Sequence, residues 1–139
     1  MPDPDLSWSN YIEGIEFKWP FSFSTEQLQV FALLSGDYNK IHTDGEFAKA
    51  KGFDAPLIYG LLLSSQMSRL IGQELPDPHA ILTGIQMDFV SPGYAGDDLE
   101  FTAQLTMKSE ATHALEFKCL ITCSNRILCR GKVSAVWRQ

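Results

Sequence analysis

Positive charge is in short supply in this chain: 11 lysines and arginines stand against 17 aspartates and glutamates, leaving a net charge of −6. Nucleic-acid binding, which needs a basic stripe to neutralise phosphates, is therefore not expected. Long apolar runs are missing as well. No stretch reaches the roughly 18 to 20 residues that span a bilayer, so no membrane segment is expected. Met1 to Asp5 is acidic and proline-bearing, unlike a secretory signal peptide, and points to the cytoplasm. Cysteines number three, an odd count with no framework spacing, which suits reduced thiols. If Cys119 and Cys123 share a strand, about 13 Å separates them, too far for one zinc with bonds of about 2.3 Å. The three read as small buried apolar residues, and neither a metal nor a cofactor is expected. Internal repeats, low-complexity tracts and linkers are absent too.

What remains is globular: 139 residues, 45% hydrophobic and 20% charged, one domain over 1–139 with an N-terminal arm over 1–13. Trp8 and Tyr11 of that arm are expected to rest on the surface. Glu16 to Phe23 places Phe17, Trp19, Phe21 and Phe23 at alternate positions. This reads as a strand with a buried aromatic face, demoted to an edge by Pro20. Ser24 with Gln27 forms a capping box for a helix carrying Leu28, Phe31, Ala32 and Leu34, which Gly36 stops. Asp44 caps a second, short helix that ends at Gly52.

From Ile58 to Ile71 runs the longest apolar segment. At about 100° per residue, Leu63, Met67, Leu70 and Ile71 share one sector. Ser64, Ser68 and Gly72 form another, small enough for a ligand or a second subunit to come close. Past a Pro76-Asp77-Pro78 turn the period becomes two: Ala80 to Val90, Leu99 to Lys108, Ala114 to Cys123 and Arg126 to Trp137 read as strands. Asp97 and Asp98 read as turn formers. Four late strands, one early strand and one long apolar helix predict an α+β domain whose antiparallel sheet wraps a central helix. One helix leaves part of the sheet bare, so a homodimer that extends the sheet is expected.

Chemistry concentrates in Ser35-Gly36-Asp37-Tyr38-Asn39-Lys40-Ile41-His42-Thr43-Asp44. Gly-Asp is an ordinary turn pair and a lone histidine is usually a surface group. The five-residue step from Asp37 to His42 fits neither a helix face nor a strand face, so a bent loop must bring the two together. Lys40, Lys49, Lys51 and Arg69 lie nearby in sequence, as a local basic patch or as a solvated helix face.

Phe31 to Asp44, followed by Gly52-Phe53-Asp54-Ala55-Pro56-Leu57-Ile58-Tyr59-Gly60-Leu61-Leu62, Phe89-Val90-Ser91-Pro92 and Gly96-Asp97-Asp98-Leu99, resembles the MaoC-like (R)-specific enoyl-CoA hydratases. The likeness spans most of the chain, from about Phe17 to Val136. It implies the hotdog fold, a curved antiparallel sheet around a long helix, and a dimer with thioester substrates near the subunit interface. By position, Asp37 and His42 correspond to the catalytic pair and Gly60 to the residue whose N–H binds the thioester carbonyl. Asn39 is expected to orient the water or the loop, and Ser68, with Ser64 on the same small face, to lie near the substrate.

The implied reaction is reversible addition of water to a 2-enoyl thioester of coenzyme A or acyl carrier protein. It needs a base to activate the water and an acid to protonate C2. The chain departs from the family at Lys40, where proline is usual, and at Tyr59, where histidine is frequent. Tyr59 is expected to shape the acyl or pantetheine channel. A hotdog acyl thioesterase is the alternative, since the same helix end can serve hydrolysis. A non-catalytic acyl-CoA-binding hotdog subunit is the second.

Overall fold

Period-two stretches become a sheet when their apolar sides meet a common cover, and here that cover is one helix. The computed structural model describes residues 7–75 and 79–138. Its strands are β1 (Glu16–Phe21), β2 (Ala80–Phe89), β3 (Leu99–Ser109), β4 (Ala114–Cys123) and β5 (Arg126–Trp137). They form one antiparallel sheet in the order β1-β3-β4-β5-β2. The helices are α1 (Thr25–Ser35), α2 (Lys40–Thr43), α3 (Gly45–Ala50) and α4 (Gly60–Arg69), the last widening into a π turn over Leu70–Glu74. The Pro76-Asp77-Pro78 turn lies outside the described residues.

The core forms between α4 and the sheet. Leu63, Met67, Leu70 and Ile71 are buried, as are Leu99, Phe101, Ala103 and Leu105 of β3. Met107, expected to continue that row, is 37% exposed. The register slips between Leu105 and Met107, and the extra residue turns the following side chains away. Trp19 anchors β1: its ring stacks on Phe101 at 4.6 Å and its Nε1–H donates to the buried Gln66 Oε1 at 2.9 Å. Phe17, Phe21 and Phe23 are only half-buried. β1 pairs with β3 alone, so Pro20 sits on an edge strand, where a missing N–H is tolerated.

Tyr11, expected on the surface, is a core residue: it is 1% exposed and meets Trp137 edge-on at 5.5 Å. Trp8 is half-buried beside the same Trp137. These segments are adjacent because β5 ends at Trp137, a neighbourhood that the spacing of the arm does not encode. At the opposite edge, Ile85 and Phe89 of β2 pair with Val133 and Cys129. Cross-strand partners share a face, yet Val133 and Cys129 are fully buried while Ile85 and Phe89 are 45% and 55% exposed. β2 is the far edge strand, and these apolar side chains stay partly exposed even though α4 reaches the strand, where the Phe89 ring lies against Gly60.

Candidate active site

The segment between α1 and α4 is shaped by a ladder of short hydrogen bonds. The Ser24–Gln27 capping box starts α1 as expected, and Gly36 ends it at φ 75°, a conformation that suits a residue without Cβ. Ser35 Oγ then accepts the Asp37 N–H (3.1 Å), Asp37 Oδ1 accepts the Asn39 N–H (3.0 Å), and Asn39 Oδ1 accepts the Ile41 N–H (3.0 Å). Ser, Asp and Asn each bond the backbone two residues on, which explains their spacing. Asp44 ends the series by capping α3 through Glu46 and Phe47.

The expectation that His42 lies on the loop is corrected by this ladder. Asn39 caps one turn of helix, α2, and His42 is part of it. The Nδ1 of His42 is 2.7 Å from the Leu57 carbonyl. A carbonyl only accepts, so Nδ1 carries a hydrogen, and in the neutral ring Nε2 is the lone-pair nitrogen. Leu57 is tied back in turn, its N–H donating to the Ile41 carbonyl at 3.0 Å. Leu57 was not foreseen: it acts through its main chain, and side-chain type carries no signal of that.

Asp37, His42, Tyr59 and Gly60 border one cavity of about 480 Å³, walled by Phe31, Leu57, Leu61, Phe89 and Val90. Apolar walls with a few convergent polar groups are the usual make-up of a small-molecule site of this size. The second oxygen of Asp37 has no hydrogen-bond partner among the described residues, the first being used on Asn39. Gly60 opens α4, where the backbone N–H groups have no intrahelical acceptor and the dipole end is positive. A β-carbon at Gly60 would come within 2.7 Å of the Phe89 ring. Close packing therefore also requires glycine there. His42 borders a second cavity of about 460 Å³ on its other side, with Tyr38, Thr43 and Pro56.

Three residues named from the sequence lie off the cavity wall. Asn39 is exposed and its side-chain oxygen is engaged in capping α2. Ser64 is buried, with its hydroxyl donating to the Gly60 carbonyl at 3.0 Å. Ser68 is exposed, eight residues and about 12 Å further along the helix. Of the basic residues, Arg69 pairs with Glu74 at 2.9 Å and lies over the Trp19 ring, and Lys51 lies over the Phe47 ring. Cys119 and Cys129 are buried, and burial pushes their thiols up to about 12.

Residues 12–118 match the MaoC like domain family. The chain belongs to this family. Its relatives include the (R)-specific enoyl-CoA hydratase of Aeromonas caviae, 35% identical over 114 residues, covering 82% of this chain and 81% of that one. The mitochondrial 3-hydroxyacyl-[acyl-carrier-protein] dehydratase of Arabidopsis thaliana is 29% identical over 118 residues, covering 82% and 70%. Among solved structures, the (R)-hydratase of A. caviae involved in PHA biosynthesis superposes with a TM-score of 0.86 at 26% identity, over 92% of this chain and 98% of that one. The sheet wrapped on α4 is thus the hotdog fold of a MaoC-like protein, as the resemblance implied.

Proposed function

We propose that this MaoC-like chain is an (R)-specific enoyl thioester hydratase and 3-hydroxyacyl thioester dehydratase. The observation that carries the reading is one cavity bordered by Asp37, by His42 with Nδ1 held on the Leu57 carbonyl, and by the N-terminus of α4 at Gly60. A water molecule held between the free Asp37 oxygen and His42 Nε2 gives up a proton to this pair as its oxygen bonds to C3. The pair returns a proton to C2. Negative charge that develops on the thioester oxygen meets the Gly60 N–H. Positioned acid–base groups typically supply 10²- to 10⁴-fold in rate, and a donor to the developing oxyanion about 10²- to 10³-fold.

Loss of enoyl absorbance with crotonyl-CoA, its longer homologues and the matching acyl carrier protein thioesters tests the reading and separates the carriers. Asp37→Ala and His42→Ala should each lose activity, and wild-type turnover in both variants would sink the assignment. Release of free thiol in place of hydration would reveal a thioesterase. Acyl-CoA binding with no turnover would reveal the non-catalytic subunit.

The working unit is a homodimer that extends the sheet. Its support is the pair of exposed apolar side chains Ile81 and Ile85 on the edge strand β2, together with exposed Leu61 beside the cavity. Ser64 and Ser68 take a substrate-binding role only in such an assembly, since neither borders the cavity of the single chain. A cytoplasmic setting fits the unpaired thiols. Sedimentation at micromolar concentration checks the dimer: a monomer with full activity would refute it.

A further inference from the structure

Tyr59 touches both members of the acid–base pair. Its ring stacks on His42 with centroids 4.0 Å apart and planes 23° from parallel. Its hydroxyl donates to the Asp37 main-chain carbonyl at 2.7 Å, and Phe31 closes on the ring at 4.7 Å. The side chain is 2% exposed. Burial, with the charge of Asp37 and then Tyr38 adding to it, raises the hydroxyl above its ordinary value, so it remains a donor through the neutral range.

These contacts use up what the side chain has to offer. The single hydroxyl hydrogen is committed to the backbone and one ring face to imidazole, leaving no donor for a thioester or a pantetheine arm. The carbonyl that it holds belongs to Asp37 itself, so the bond anchors the backbone from which the Asp37 side chain projects. The shorter imidazole of the histidine frequent in this position would stop short of that carbonyl.

We propose that Tyr59 is a positioning residue, a strut that sets the Asp37 carboxylate and the His42 imidazole in one fixed arrangement, and not a wall that selects acyl chains. Within the hydratase reading, its removal should lower kcat and leave KM alone. Small displacements of reacting groups are costly, about 10²-fold for roughly 1 Å.

Tyr59→Phe keeps the ring and loses the hydroxyl, whereas Tyr59→Leu loses both. Steady-state hydration of crotonyl-CoA should show kcat about ten-fold lower in Tyr59→Phe and about 10²-fold lower in Tyr59→Leu, with KM unchanged within about two-fold. Proton NMR of the free protein adds a readout that needs no turnover. His42 ring protons, assigned against His79 and His113, should be shifted upfield by the stacked ring in wild type and Tyr59→Phe, and released in Tyr59→Leu.

A raised KM at unchanged kcat, wild-type kinetics in Tyr59→Phe, or unshifted His42 protons in the wild-type protein would each overturn the proposal. If the wild-type chain hydrates no enoyl thioester, the hydratase reading fails while the NMR result still decides whether Tyr59 holds His42. If Tyr59→Leu does not fold, Tyr59→Phe kinetics and the wild-type spectrum decide the matter.

Discussion

The segment from Ser35 to Gly60 and the three central strands are built on opposite principles. In β3, β4 and β5 nearly every inward side chain is fully buried, among them Phe101, Phe117, Ile121, Leu128 and Val133. No single contact there decides the structure. In the Ser35–Gly60 segment only half of the residues are exposed and few are fully buried, and individual bonds hold the shape: Ser35 to Asp37, Asp37 to Asn39, Asn39 to Ile41, His42 to Leu57. Burial is additive and tolerant, while a hydrogen-bond ladder is directional. The fold therefore stores its stability in the sheet and its chemical geometry in the segment, and substitutions should separate the two.

The sharpest separation is expected from a matched pair of variants. His42→Ala should cost about 10²- to 10⁴-fold in hydration rate, yet leave the free energy of unfolding within about 1 kcal/mol of wild type. Phe117→Ala should do the reverse. Removing that fully buried ring should cost about 3–5 kcal/mol in a urea titration, with kcat preserved at temperatures where the variant is folded. Equal stability losses in the two variants would erase the distinction.

The buried thiols probe the sheet alone. Cys119 and Cys129 titrate near 12 when folded against an ordinary value of 9.0. Above pH 9 the unfolded chain gives up these protons and the folded chain keeps them, so the stabilisation is complete below pH 9 and is lost as pH rises from 9 towards 12. Between pH 8 and pH 10 wild type should lose about 3 kcal/mol more than the Cys119→Ala/Cys129→Ala double variant. The urea midpoint of each protein at the two pH values measures this, and parallel behaviour would refute it.

Asn39→Ala makes the smallest and subtlest change. Loss of the α2 cap should cost about 1 kcal/mol or less in stability. Activity should fall more than stability does, because His42 rides on the single turn that Asn39 starts. An activity loss no larger than expected from the unfolded fraction would mean that the ladder is merely structural.

Local features were legible in the chain. Ser24 and Gln27 announce their capping box, Gly36 its left-handed stop, and β4 and β5 span the expected residues, because each rests on neighbours within a few positions. The candidate site was legible in its side chains and not in its supports. Asp37, His42 and Gly60 stand in a recognisable pattern and do border one cavity. The Leu57 carbonyl that sets the histidine tautomer is 15 residues from His42 in the chain, and the Asp37 carbonyl is 22 from Tyr59. Tyr11 in the core and Met107 beyond its bulge escaped for the same reason, since each depends on a neighbour that only folding supplies.

By itself the sequence determined which stretches alternate, which turn and which cap, for these follow from backbone sterics and short-range hydrogen bonds. It also determined that an acid, an imidazole and a glycine-led helix are present. The tertiary structure decided how they are held: Nδ1 spent on Leu57, one face of His42 against Tyr59, and the Asp37 carbonyl under the tyrosine hydroxyl. Contacts between distant residues depend on how the helix seats on the sheet, and no local period encodes that seating.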